Sequence, residues 1–152
     1  MKANVPHIKR SIFLSDDDSD DCTLFSEALM EITGEANLTV SNDGARLMQL
    51  LEDTPPAPEI IFLDLNMPRK NGFECLQEIR QSPKLRDIPV VIFSTSSNSD
   101  VVERMFEGGA NFYITKPASY NLLKKAIAYV LSLDSRKLQV KPLREQFVIK
   151  VA

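Results

Sequence analysis

Carboxylate, hydroxyl and ammonium side chains fall at the ends of successive short apolar runs in this chain. The run SIFLS (residues 11–15) leads into Asp16-Asp17-Asp18, IIFL (60–63) into Asp64, VVIF (90–93) into Ser94-Thr95, and FYI (112–114), after one threonine, into Lys116-Pro117. If the fold gathers these ends, two or more carboxylates share one rim, where a pair at ~4 Å repels by roughly 4 kcal/mol at an effective dielectric near 20. A hard divalent ion such as Mg²⁺ takes oxygen ligands of this kind, and Lys116 adds a second positive charge. Asp64 then becomes a candidate nucleophile towards phosphorus, as carboxylates are in aspartyl-phosphate chemistry. Each feature alone has a plainer account. An acidic run such as Asp16 to Asp21 is commonly a solvated face or a helix N-terminus that complements the macrodipole, and Asp18, Asp20 and Asp21 are expected to be mostly that. Their joint occurrence at strand ends carries the chemical reading.

The elements that must position these groups follow from periodicity. Strand-like runs cover residues 11–15, 38–41, 60–63, 90–93 and 112–114, and apolar residues at helical spacing lie between and after them. Leu24, Phe25, Ala28, Leu29 and Ile32 form one stripe; Ala45, Met48 and Leu51 a short second; Phe73, Leu76 and Ile79 a third; Val101, Val102, Met105 and Phe106 a fourth; and Leu122, Leu123, Ala126, Ile127 and Val130 a fifth. Asn71 with Glu74 reads as a capping box, and Asn42, Asn98 and Ser119 as N-caps. Gly108-Gly109 reads as the end of the fourth helix. Strict β-α alternation predicts an α/β, doubly wound parallel sheet with helices on both faces. The functional site of such a sheet lies beyond the carboxyl ends of its strands.

Composition narrows the function. A chain of 152 residues has room for one ordinary domain. A net charge of −3 argues against a nucleic-acid footprint. No apolar run reaches the ~20 residues that cross a bilayer, and the first ten residues have no apolar signal core, so a cytoplasmic location away from the membrane is expected. Cys22 and Cys75 share no metal or redox spacing and are expected to be buried thiols. A single histidine, His7, cannot build a zinc site.

The stretches IFLSDDDSDD, IIFLDLNMPRKNGFE, IPVVIFSTSS and GGANFYITKP, in this order, resemble the response-regulator receiver family of two-component signalling. The spacings are similar too, with thirty positions from Asp64 to Ser94 and twenty-two from Ser94 to Lys116. The resemblance implies a flavodoxin-like (βα)5 fold with strand order 2-1-3-4-5. It implies that Asp64 is the phospho-acceptor, that Asp17, Asp64 and the backbone carbonyl of Asn66 bind Mg²⁺, and that Asp16 does so through water. It implies that Ser94 is the switch hydroxyl, with Thr95 beside it, that Lys116 pairs with a phosphoryl oxygen, and that Tyr113 is the aromatic switch. Residues 1–10 are expected to be a lead-in, 11–133 the receiver, and 134–152 an extension whose ending, FVIKVA, suits an edge strand, docking on a helix, or self-association; a homodimer is left open. The implied protein is a single-domain response regulator and not an enzyme beyond its own phosphorylation and dephosphorylation. A histidine kinase or phosphotransfer protein would be its donor, and a downstream protein would read it at the face of the fourth helix, fifth strand and fifth helix. Three rivals fare worse. A phosphohydrolase would favour an acid two residues after the nucleophile, where Asn66 stands. The intact set of Asp17, Asp64, Ser94 and Lys116 argues against a pure binding module with a vestigial pocket, and a flavin protein would need a hydroxyl- and glycine-rich loop after the first strand.

Overall fold

The computed structural model describes residues 10–53 and 57–151; His7, Pro55 and Pro56 lie outside the described residues. Strands and helices alternate as β1 (Arg10–Ser15), α1 (Ser19–Ile32), β2 (Ala36–Ser41), α2 (Gly44–Asp53), β3 (Ile60–Leu63), α3 (Gly72–Gln81), β4 (Val90–Ser94), α4 (Ser99–Glu107), β5 (Phe112–Thr115) and α5 (Tyr120–Ser132). Two short helices follow, α6 (Ser135–Gln139) and α7 (Arg144–Phe147). The five strands form one parallel sheet in the order β2-β1-β3-β4-β5. The doubly wound architecture expected from the alternation is the one observed.

Strand composition explains the order. IIFL of β3 is buried throughout, and so is β4 (VVIFS), because helices cover both faces of a central parallel strand. β2 (ANLTVS) lies at the edge and is only partly buried. Two strands begin earlier than hydrophobicity predicts. β1 includes Arg10, which the sequence assigned to the lead-in, and β2 begins at Ala36 rather than at residue 38. The cause is ladder pairing, Arg10 with Ala36 and Ser11 with Asn37, which a polar edge supports without burying the side chains.

Caps set the helix entries. Asp18 caps α1 by accepting the N–H groups of Asp20 and Asp21, Asn71 and Glu74 form the capping box of α3, and Asn98 and Ser119 cap α4 and α5. At α2 the cap falls one residue later than expected: Asp43 Oδ1, not Asn42, accepts the Arg46 N–H at 2.7 Å. Gly109 takes φ +96° after α4, the left-handed turn that suits glycine.

Each face of the sheet carries its own core. One holds Phe13, Leu63, Leu76, Ile79, Met105 and Tyr113 under α2, α3 and α4, and the other holds Leu14, Phe25, Phe62, Phe93, Ile127 and Val130 under α1 and α5. The residues after α5 complete both. Leu138 joins the second core and Phe147 the first. Asn111, buried at the start of β5, donates to the Leu138 carbonyl at 2.6 Å and ties this region to the sheet. Val148 bridges Tyr113 in parallel, and the Ile149 N–H donates to the Tyr113 carbonyl at 2.9 Å. Of the alternatives left open for FVIKVA, the chain therefore forms an edge bridge and docks across α4 and β5.

Candidate functional site

Register places the chemistry. β1, β3, β4 and β5 run side by side and end together, so the residues leaving them share one rim. The Asp64 N–H donates to the Ser15 carbonyl at 2.9 Å, the Asp16 N–H to Ser41, and the Lys116 N–H to Ser94 at 2.7 Å. The loop after β3 is held tightly against this rim. Gly72 opens α3 so close to the Asp64 carbonyl that a Cβ there would lie 2.2 Å from it, which only glycine accommodates.

Carboxylate oxygens of Asp16, Asp17 and Asp64 all lie within 4.8 Å of one another. Asp16 and Asp64 are buried and Asp17 is exposed. Lys116 Nζ lies 2.7 Å from Asp16 Oδ2, 2.7 Å from Asp21 Oδ2 and 3.6 Å from Asp64 Oδ2. Burial by itself opposes the Lys116 ammonium, but close pairing with Asp16 and Asp21 and the charge of Asp64 outweigh it and hold its pKa above the usual lysine value. Asp64 is pushed the other way: burial first, then the neighbouring Asp16 charge, raise its carboxyl to about 6. One ammonium therefore does not satisfy the carboxylates around it.

The donor set fits a hard divalent cation. Asp16 Oδ1 accepts the Asp18 N–H at 3.0 Å, while the buried Oδ2 has only its ion pair with Lys116 and no aligned hydrogen bond. An under-satisfied buried carboxylate beside two more is the environment that oxygen-ligated ions occupy.

The remaining expected residues divide. Ser94, at the end of β4, is fully buried, whereas Thr95 is exposed. Ser94, Ser96, Asn66 and Arg104 line a cavity of about 270 Å³ that also takes in Leu65, the residue after Asp64. Tyr113 is wholly buried, and its hydroxyl donates to the Ser96 carbonyl at 2.6 Å. Burial raises its pKa, and hydrogen bonding to Ser94 and Ser96 works against that. The ring is therefore already inside, next to the β4–α4 loop.

Asp21 corrects the sequence reading. It was expected to be a solvated carboxylate of the first helical turn, yet it pairs with Lys116. A turn of α1 starting at Ser19 sets Asp21 back towards the strand ends, while Asp20 stays exposed. Spacing cannot say which of two adjacent aspartates faces a lysine 95 positions away. Phe147 is the second residue that sequence reasoning missed; its one signal was an aromatic followed by β-branched residues. Both cysteines are buried thiols as expected, pushed up by burial to about 11 for Cys22 and about 12 for Cys75. Among the described residues no helix is long and apolar enough to cross a membrane.

Comparison with known proteins agrees with this geometry. The response regulator receiver domain profile matches residues 12–128. Response regulator Rcp1 of Synechocystis is 37% identical over 131 residues, covering 83% of this chain and 87% of that protein. The crystal structure of the phosphorylated cyanobacterial phytochrome response regulator RcpA superposes with a TM-score of 0.75 at 35% identity, covering 80% of this chain and 91% of that one. The Mn²⁺-bound form of Rcp1 gives a TM-score of 0.73 at 37% identity, covering 81% and 92%. The chain belongs to the response-regulator receiver family of two-component signalling.

Proposed function

We propose that this protein is a single-domain response regulator that accepts a phosphoryl group on Asp64 from a histidine kinase or phosphotransfer protein and signals by protein contact. The observation that carries the reading is a buried Asp64 carboxylate whose oxygens lie within 4.8 Å of those of Asp16 and Asp17, with the Lys116 ammonium 3.6 Å away. In the transfer, an Asp64 carboxylate oxygen forms a bond to phosphorus as the N–P bond of a donor phosphohistidine breaks; the electron pair returns to the imidazole, which takes up a proton. Mg²⁺, held by Asp17, Asp64 and the Asn66 carbonyl with Asp16 acting through water, would neutralise charge on the transferring group; the Mn²⁺-bound form of Rcp1 supports a divalent ion at such a site. Lys116 supplies a fixed positive charge to a phosphoryl oxygen, and Ser94, at the end of the adjacent strand, offers a hydroxyl. Thr95, being exposed, is the weaker of the two hydroxyl candidates. In this reading the protein turns over no separate substrate and works in the cytoplasm, with residues 11–133 as receiver and 134–152 as an added structural segment.

Acetyl phosphate with Mg²⁺ tests the assignment by intact mass. The wild type gains one phosphoryl group, Asp64→Asn gains none, chelating the metal abolishes labelling, and Asp17→Asn weakens it strongly. Equal labelling of wild type and Asp64→Asn would sink the assignment.

A further inference from the structure

We infer that Phe147, carried across the α4–β5 edge by residues 143–151, is a positioning residue for the phosphoryl pocket, holding Tyr113 inward and fixing the β4–α4 loop through it. The inference rests on Asp64 as the phospho-acceptor and adds a part of the chain to which no role in that chemistry has been assigned.

The contacts form one continuous path. The Phe147 ring is fully buried, edge-on to Tyr113 with centroids 6.1 Å apart and to Phe106 of α4 at 5.2 Å. Backbone pairing with Tyr113, through the Val148 bridge and the Ile149 N–H, anchors the segment on the residue that Phe147 covers. Arg144 Nε, 2.6 Å from Glu103 Oε2, anchors it to α4, and Lys141 lies 4.3 Å above the Phe106 ring. From Tyr113 the path continues inward: its hydroxyl donates to the Ser96 carbonyl at 2.6 Å, and the Ser96 N–H donates to Ser94 Oγ at 3.2 Å. Ser94 is the hydroxyl at the phosphoryl pocket. An outward swing of Tyr113 must displace Phe147 and break the Ser96 bond.

Linkage sets the sign. If docking of the segment favours the inward Tyr113 and the loop geometry that receives a phosphoryl group, then filling the pocket must strengthen docking by the same factor. This separates a latch from a cover. A segment that only masked an output surface would loosen when the pocket fills.

Three measurements on the full-length protein decide it. Amide hydrogen exchange with and without beryllofluoride and Mg²⁺ reads the latch in the wild type: the Ile149 N–H becomes more protected when the mimic binds, and unchanged or reduced protection overturns the inference. Nitration of tyrosines with tetranitromethane, without any phosphoryl mimic, reads position alone. Tyr113 is unreactive in the wild type and reactive in Phe147→Ala; a Tyr113 that stays unreactive in that variant overturns the inference even if Asp64 proves not to be the acceptor. Beryllofluoride affinity completes the test. Phe147→Ala weakens it by about fivefold or more, Phe147→Leu restores part of the loss, and Val130→Ala, a truncation in the opposite core, leaves it unchanged. Equal losses in Phe147→Ala and Val130→Ala would reduce Phe147 to packing and refute the positioning role.

Discussion

Two cations reach into this protein from opposite ends of the sheet, and they are matched in different ways. At the end where β4 and β5 begin, Arg80 of α3 donates to the carbonyls of Gly109 (2.9 Å), Arg86 (3.0 Å) and Ile88 (2.8 Å) and to Asn111 Oδ1 (2.8 Å). The same Asn111 oxygen accepts the Val90 N–H at 2.8 Å. Burial pushes the Arg80 pKa down against the opposing charge of Asp87, yet guanidinium stays charged and uses its planar fork to join the α3–β4 and α4–β5 loops. At the other end Lys116 faces three carboxylates at 2.7, 2.7 and 3.6 Å. Neutral dipoles around a cation make a clamp with no competing state. Charged acceptors around a cation leave excess negative charge that invites another cation and a different partner for the lysine. The first end is built to stay, the second to be exchanged.

Removing Arg80 gives the largest expected effect. Arg80→Ala takes the donor from the partly buried Gly109 and Ile88 carbonyls and leaves the Asn111 oxygen with the Val90 N–H alone, and the unfolding free energy in urea falls by about 3–5 kcal/mol. The loss is the same with and without Mg²⁺, and the folded fraction binds beryllofluoride as the wild type does. A loss that Mg²⁺ repairs would break the distinction between the two ends.

Asp64→Asn should act in the opposite direction. The Asp64 carboxyl is raised to about 6 by burial and by Asp16, so the folded state holds that proton more tightly than the unfolded chain. The favourable contribution is complete below about pH 4 and is lost as pH rises through 6, leaving a penalty at neutral pH. In Mg²⁺-free buffer at pH 7 the variant is therefore more stable than the wild type by about 1–3 kcal/mol, an advantage that vanishes towards pH 4. Added Mg²⁺ stabilises the wild type more than the variant. Denaturation curves at both pH values check the sign, and a variant less stable at pH 7 would show that the pocket is not electrostatically frustrated.

Asp21→Asn sharpens the comparison with the smallest effect. Asp21 is partly exposed, so losing its pairing with Lys116 changes stability by less than about 1 kcal/mol. The lysine gains freedom to meet a phosphoryl oxygen, and beryllofluoride binds a few-fold more tightly. Weaker binding would instead make Asp21 a support that aims Lys116 at the pocket.

Legibility from the sequence varied with the range of the interaction. IIFL and VVIF read as central strands because a doubly buried parallel strand has no polar face to disguise it. Polar β2 was placed two residues late, because ladder pairing leaves no mark on hydrophobicity. The capping box at Asn71 and Glu74 was readable since both partners lie within one turn. The α2 cap was misread by one residue because Asn42 and Asp43 are equally good acceptors until the backbone chooses.

Asp16, Asp17, Asp64, Ser94 and Lys116 could be placed on one rim from sequence because each lies at or just past the carboxyl end of a strand, and parallel strands end on the same side. Alternation determined that much by itself. Only the tertiary structure decided that Asp21 and not Asp20 meets Lys116, that Asp16 is buried while Asp17 is exposed, and that Phe147 closes over Tyr113. These choices depend on helix rotation and on contacts between residues far apart in the chain. A side chain's periodicity records whether it faces inward, and its partner there is set by how separate elements dock.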